Sequence, residues 1–287
     1  MTLSLSILFA FSSMLTFGIA DFMAKTILSK AGTFRTLAVS QSIGCVLYLG
    51  VAVAYDLAVP DASLVLLAVL SGGLTTVVML AFYKALSLGK ASLVSPVTSC
   101  MIVVAIILSF LILGETLSWL QISAIAFVFV GILLVAFQKR VSRSRESNLS
   151  LLFALVVVFA GGCNAIVQKL MATNGHYLMG FLLGRVFMLS FLAILFPLLT
   201  IKAVVVKAPA RMYRKMALLG VIESFAFFAW FIGLRGELVS IVTPIVNSSP
   251  AVTTILAYFF LNERVLLHQR IGVFAILLGV ASLSMIS

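Results

Sequence analysis

The sequence predicts an all-α integral membrane protein: ten transmembrane helices, built as two inverted five-helix repeats around a central cavity. Three observations carry that prediction. Of the 287 residues, 63% are hydrophobic and only 9% charged, against about a quarter charged in a soluble domain. So few charges cannot cover a water-facing exterior, which makes lipid the main solvent. The apolar residues fall in runs of about 20, the helix length that a hydrocarbon core of ~30 Å requires. Finally, one stretch occurs twice. Ser240 to Glu263, SIVTPIVNSSPAVTTILAYFFLNE, overlays Ser92 to Glu115, SLVSPVTSCMIVVAIILSFLILGE, at an offset of 148. Both run Ser, Pro four residues later, about five turns of apolar helix, then Glu.

The ten runs are 3–24, 34–55, 62–83, 92–113, 117–137, 149–170, 178–200, 215–234, 239–261 and 266–286. The first lacks the charged start and small-residue cleavage site of a secretory signal, so it reads as a retained span. Most connections are short, which makes neighbours in sequence antiparallel neighbours in space. Two are longer and basic. Gln138 to Ser150, QKRVSRSRESNLS, is the only strongly polar run. It divides the chain into a first repeat at 1–138, a connector at 139–149 and a second repeat at 150–287. Lys202 to Lys215, KAVVVKAPARMYRK, suits the headgroup level.

Charge sets the orientation. Sixteen of the nineteen Lys and Arg residues lie in the odd-to-even loops or at their helix ends. Only Lys169, Arg185 and Arg235 fall elsewhere, and the opposite loops carry Asp56, Asp61, Glu115 and Glu237. The positive-inside rule then puts both termini outside and the connector in the cytosol. On this reading the net charge of +11 anchors loops at the cytoplasmic membrane rather than binding nucleic acid. The expected partners are the bilayer and a small-molecule substrate, with the protein a monomer or a homodimer.

The repeat extends beyond its first stretch. Across the first two helices of each half the offset is 144, pairing Gly18 with Gly162, Lys25 with Lys169 and Gln41 with Arg185. Afterwards it is 148, pairing Gly72 with Gly220 and Gly131 with Gly279. The extra residues fall in the long basic loop. Five spans per half is an odd number, so the second half enters the membrane inverted, a hallmark of secondary transporters.

These residues resemble the EamA family of the drug/metabolite transporter superfamily, over essentially the whole chain. The carriers are Ala85-Leu86, Ser92, Pro96, Glu115 and Gly131 in the first half. In the second they are Gly233-Leu234, Ser240, Pro244, Asn262-Glu263, Gly272 and Gly279. The first copy departs at Ala124, where the second has Gly272. The resemblance implies metabolite transport through a central cavity, often export, and leaves the cargo open.

Polar side chains deep in a span must face a partner, a cavity or the interface. Glu223, about 12 Å deep in the eighth span, reads as a proton carrier, a group for a substrate cation or a permanently paired carboxyl. Arg185 in the seventh span can grip a carboxylate or phosphate with its planar fork, or serve as the static partner of Glu223. The pair is the preferred reading, with substrate competing for it. Asn164, Gln168 and Lys169 give the sixth helix a polar stripe that suits a cavity wall. Gln41, the mate of Arg185, and Thr76, beside the mate of Glu223, join the list. In the ninth helix Ser240, Thr243 and Asn247 share a face, beside Ser248, while Pro244 and Pro250 free carbonyls that need a polar surface. Ser99 is the counterpart of Asn247, and small residues there also serve helix packing. The asymmetric stretch Asn247-Ser248-Ser249-Pro250 against Ser99-Cys100-Met101-Ile102 is the expected seat of specificity. Asp21 and Lys25 read as an interfacial i,i+4 pair or as a cytosolic gate. Glu115 and Glu263 read as caps of the helix that follows each.

Other classes find less support. There is no GxxxxGK[ST] run to bind a nucleotide. An intramembrane enzyme needs a nucleophile with its base or clustered metal ligands, and the sequence shows neither HExxH nor paired deep carboxylates nor a deep His. A channel needs a filter loop or an oligomeric pore. Cys45, Cys100 and Cys163 lie inside apolar runs and read as buried small residues, so no metal and no cofactor is expected.

Overall fold

A computed structural model describes residues 5–55, 60–88, 94, 97–137, 145–174, 176–200, 209–261 and 266–286. Among these residues every regular element is a helix. They run α1 (Leu5–Ala31), α2 (Thr33–Tyr55), α3 (Ala62–Leu88), α4 (Met101–Leu108), α5 (Trp119–Ala136), α6 (Arg145–Ala172), α7 (Tyr177–Thr200), α8 (Ala210–Gly236), α9 (Val239–Val246), α10 (Ser249–Leu261) and α11 (Leu267–Ile286). Seven stretches are long and apolar enough to cross a membrane, the α9–α10 pair counting as one stretch, Val239–Phe260. Three shorter apolar helices, Arg35–Val51, Val97–Leu113 and Trp119–Val135, accompany them. Their outward faces are apolar: Leu267 is 73%, Phe260 71% and Leu120 65% exposed. So much contiguous exposed apolar surface is unsustainable in water. The chain is a multi-pass membrane protein. Ser92, Ser95, Pro96 and Glu263, most of the Gln138–Ser150 connector and part of the Lys202–Lys215 loop lie outside the described residues.

The helices pack in matching sets. α1 lies on α8 as α3 lies on α6; α2 lies on α8 as α3 lies on α7; α1 meets α10 as α6 meets α4; α5 pairs with α11. Glycines permit tight approaches, and three pairs of them recur where the 144 and 148 offsets place them. A Cβ on Gly18 would strike Val252, and one on Gly162 would come 2.5 Å from Val104. One on Gly220 would strike the Ser40 carbonyl oxygen, and one on Gly72 would lie 2.9 Å from that of Gly184. A Cβ on Gly131 would come 2.7 Å from the Gly272 carbonyl oxygen, and one on Gly279 would come 2.7 Å from that of Ala124. Ala at the Gly272 counterpart is therefore accommodated on the same seam.

Two helices break. α9 carries Pro244, and the Asn247–Ser248 turn separates it from α10. The prolines cannot donate to the carbonyls of Ser240 and Val246, four residues back, and the side chains of the turn bond to neighbouring carbonyls instead. Asn247 Nδ2 donates to the Thr243 carbonyl (2.9 Å) and Ser248 Oγ to that of Pro244 (2.8 Å). α4 ends in a π-helical turn, Ser109–Leu113, closed by Gly114 at φ 66°. A left-handed residue at that point favours glycine, and the extra residue of the π turn swings Glu115 inward.

Glu115 is a cap, but of a different helix from the one expected. It does not serve α5, whose N-terminus has its own capping box from Ser118 and Gln121. Its carboxylate instead accepts from Val239 N (2.7 Å), Ser240 N (3.0 Å) and Ser240 Oγ (2.7 Å), at the start of α9 in the other half. The helix dipole and free N–H groups of α9 attract it. Lys169 also needs correction. Its ammonium lies at the C-terminal end of α8, donating to the carbonyls of Leu234 (2.6 Å) and Glu237 (2.6 Å). It holds a helix terminus instead of extending the α6 polar stripe into a cavity.

Candidate substrate site

The deep polar groups form two clusters that share α2, α3 and α8. The first surrounds Glu223, which is 8% exposed. Gln41 Nε2 donates to its Oε2 (3.0 Å) and the Tyr83 hydroxyl to its Oε1 (3.2 Å). The Ser40 hydroxyl lies close to it. From α1, Asp21 lies near Ser249 and within electrostatic range of Glu223. The side chain of Lys25, the expected partner of Asp21, lies outside the described residues.

The second cluster surrounds Arg185, 6% exposed. Its guanidinium carbon sits 3.9 Å from the ring centre of Phe227, 5.2 Å from Phe181 and 5.9 Å from Tyr48. Aromatic faces attract the cation without using its N–H groups. Nη1 meets the Met188 sulfur at 3.9 Å, and Nη2 is buried with no hydrogen-bond partner among the described residues. The expected Arg185–Glu223 pair does not form. The carboxylate is taken by Gln41 and Tyr83, and the guanidinium is held in an aromatic box instead.

Beside Arg185 lies a small cavity lined by Ser71, Thr75 and Phe181, with Gln168, Met171, Gly184 and Phe231 completing it. Gln168 is 4% exposed and its Oε1 lacks a partner. Asn164 stands behind this wall, accepting from Ser71 Oγ (3.0 Å) and donating to Thr75 Oγ1 (3.0 Å). The α6 stripe thus divides: Gln168 reaches the cavity, Asn164 braces it, and Lys169 goes to α8.

Other candidates sit elsewhere. Thr76 Oγ1 donates to the Gly72 carbonyl (2.8 Å) and approaches that of Met188 (3.2 Å), joining α3 to α7. Thr243 is fully buried with Oγ1 unpartnered, outside this cavity's lining. Ser99 is buried. Asn247 Nδ2 and Ser248 Oγ each donate within their own broken helix. Tyr48, Tyr83, Phe181 and Phe227, which supply much of both clusters, drew no attention in the sequence. An aromatic inside an apolar run carries no periodic signal of its own.

Comparison with known proteins decides the family. The model of the EamA-like transporter family matches twice, over residues 4–137 and 148–285. The chain belongs to the EamA-like transporter family. A curated relative from Methanocaldococcus jannaschii, itself described as uncharacterized, is 31% identical over 121 residues. That match takes 42% of this chain but 88% of the relative, so the relative is about half as long as this EamA-like chain. A protein solved by crystallography superposes over 100% of both chains with a TM-score of 0.80 at 16% identity, a likeness of fold.

Proposed function

We propose that this EamA-like protein is a secondary transporter of small metabolites across the cytoplasmic membrane. It works as an exporter that exchanges substrate for protons, as a monomer or homodimer. Its ten spans form two inverted repeats, 1–138 and 150–287, joined by the basic connector at 139–149. The matched helix contacts and glycine seams support that architecture, and so does the half-length relative. The observation that carries the functional reading is the Arg185 cavity. It is built from α3 of one half and α6, α7 and α8 of the other, where an alternating-access carrier holds its substrate.

Glu223 and Asp21 supply the proton step. A carboxyl group shared between donors of two halves can release its proton when the halves part. Substrate at Arg185 and the proton at Glu223 then communicate through α8, which carries both Glu223 and Phe227. Counterflow in proteoliposomes against a metabolite panel, with and without a pH gradient, tests this. Saturable counterflow that responds to the gradient supports it. A solute flux that neither saturates nor exchanges points to a channel and overturns it.

A further inference from the structure

We propose that the Arg185 cavity binds a small organic carboxylate bearing a hydrogen-bond donor beside its carboxyl group. This rests on the transporter reading for its biological meaning, but its structural basis is separate. A guanidinium buried without a counter-charge is costly, and the aromatic box of Tyr48, Phe181 and Phe227 leaves Nη2 unused. A ligand anion completes it. Gln168 Oε1 faces the same cavity as an acceptor without a donor. A ligand that brings an N–H or O–H beside its carboxylate satisfies this acceptor as well.

The remaining walls narrow the class. Among the described residues no Asp or Glu lines the cavity, so a cation without a carboxylate has no counter-charge there. Ser71, Asn164 and Thr75 are bonded to one another, which leaves Arg185 as the one strong donor. A single guanidinium suits a planar carboxylate better than a phosphate, which needs donors around three oxygens. Phe181, Phe231 and Met171 form an apolar wall, and the cavity, about 10 Å³, has room for little beyond the carboxylate in this conformation, so the rest of the ligand enters as that wall parts.

The test is ligand-dependent thermal stabilisation of the full chain purified in detergent, since binding to the folded form raises the unfolding temperature. The probes share one three-carbon frame: propionate, lactate and alanine, compared with ethylamine and inorganic phosphate. A branched five-carbon acid set repeats the comparison so that size does not decide it. The carboxylates should stabilise, lactate and alanine more than propionate, and ethylamine and phosphate should not. Arg185→Gln should weaken carboxylate binding about ten- to a hundredfold, the range for one charge-assisted hydrogen bond. Gln168→Leu should keep propionate binding and erase the preference for lactate. Stabilisation by the amine or by phosphate alone overturns the proposal, as does silence from every carboxylate. If Arg185→Gln does not fold, Gln168→Leu decides: a surviving preference for lactate overturns it. Counterflow of some other solute without carboxylate binding removes this inference and leaves the transporter. Carboxylate binding without counterflow does the reverse.

Discussion

Glu223 and Arg185 are both deeply buried charged side chains, and their surroundings are opposite. Glu223 is surrounded by donors and has both oxygens occupied. Arg185 is surrounded by aromatic faces and has an unused donor. The repeat makes the contrast sharper. Gln41 occupies the position in the first half that Arg185 occupies in the second, and Thr75 the position of Glu223. On one side of the pseudo-symmetric frame a Gln meets a Glu; on the other, an Arg stands near a Thr. The frame is shared, and the chemistry comes from what the two copies do not share.

The frame should be the most sensitive part. Gly220→Ala and Gly72→Ala each place a methyl against a backbone carbonyl of the facing helix, Ser40 or Gly184. Overpacking a close seam costs about 1–3 kcal/mol, a large share of a typical ~5–15 kcal/mol total. Both variants should lose monodisperse protein in detergent gel filtration, Gly220→Ala more, because its new Cβ meets backbone atoms of Ser40 alone, whereas that of Gly72 comes nearest a side-chain atom, Phe187 Cβ. Equal, full recovery of both would show that the two halves do not lean on this seam.

The charged pair comes next. Arg185→Gln should reduce counterflow about tenfold or more, with folding intact by gel filtration. Glu223→Gln should keep counterflow but lose its response to a pH gradient, because the amide cannot carry a proton. Glu223→Gln that still follows the gradient would assign the proton step to Asp21. Wild-type counterflow in both variants would reduce the two clusters to structural roles.

The sequence made the frame legible because a repeat reports on itself. Gly18 and Gly162, or Gly131 and Gly279, identify a seam without any knowledge of their partners. Depth was legible too, which is why Arg185, Glu223, Gln41 and Gln168 could be singled out. Partners were not. Lys169 finds two carbonyl oxygens 65 and 68 residues away, and Glu115 finds a helix start 124 residues away. Helical spacing fixes which face a residue occupies but not what packs against it. Asp21 was read against Lys25, its nearest charge in sequence, and the approach of Glu223 from the other half could not be read from spacing. The Asn247-Ser248 stretch was singled out because the two copies differ there, and spacing could not show that Asn247 Nδ2 and Ser248 Oγ donate within their own broken helix.

A smaller effect is expected at the cross-half cap. Glu115→Gln leaves one carbonyl oxygen where two carboxylate oxygens accepted three hydrogen bonds. The loss of a buried charge-assisted bond is about 1.5–3 kcal/mol, which lowers Tm by a few degrees in a chain of this size. Thermal unfolding in detergent measures it. A Tm unchanged by Glu115→Gln would mean that the two halves are joined at this end by packing alone.

The smallest effect separates two helix starts that the repeat makes equivalent. Asp61 precedes α3, and Pro209, 148 residues on, is the N-cap of α8. Asp61 accepts from Leu64 N (3.0 Å) and Ser63 Oγ (2.8 Å), whereas Pro209 offers no side-chain cap. The Ser63 bond first, then the Leu64 bond, lowers the Asp61 pKa below its ordinary value. A carboxyl group so shifted stabilises the fold above its unfolded pKa, and that contribution fades as the pH falls through the lower folded value. Asp61→Asn keeps a competent cap without the titration. The Tm advantage of the wild type over Asp61→Asn should therefore be slight at neutral pH and vanish in acid. Pro209→Asp, which supplies the missing cap, should raise Tm by a comparable small step. An advantage that grows in acid would show that the Asp61 charge is unfavourable where it stands, and the two helix starts would then differ in electrostatics instead of capping.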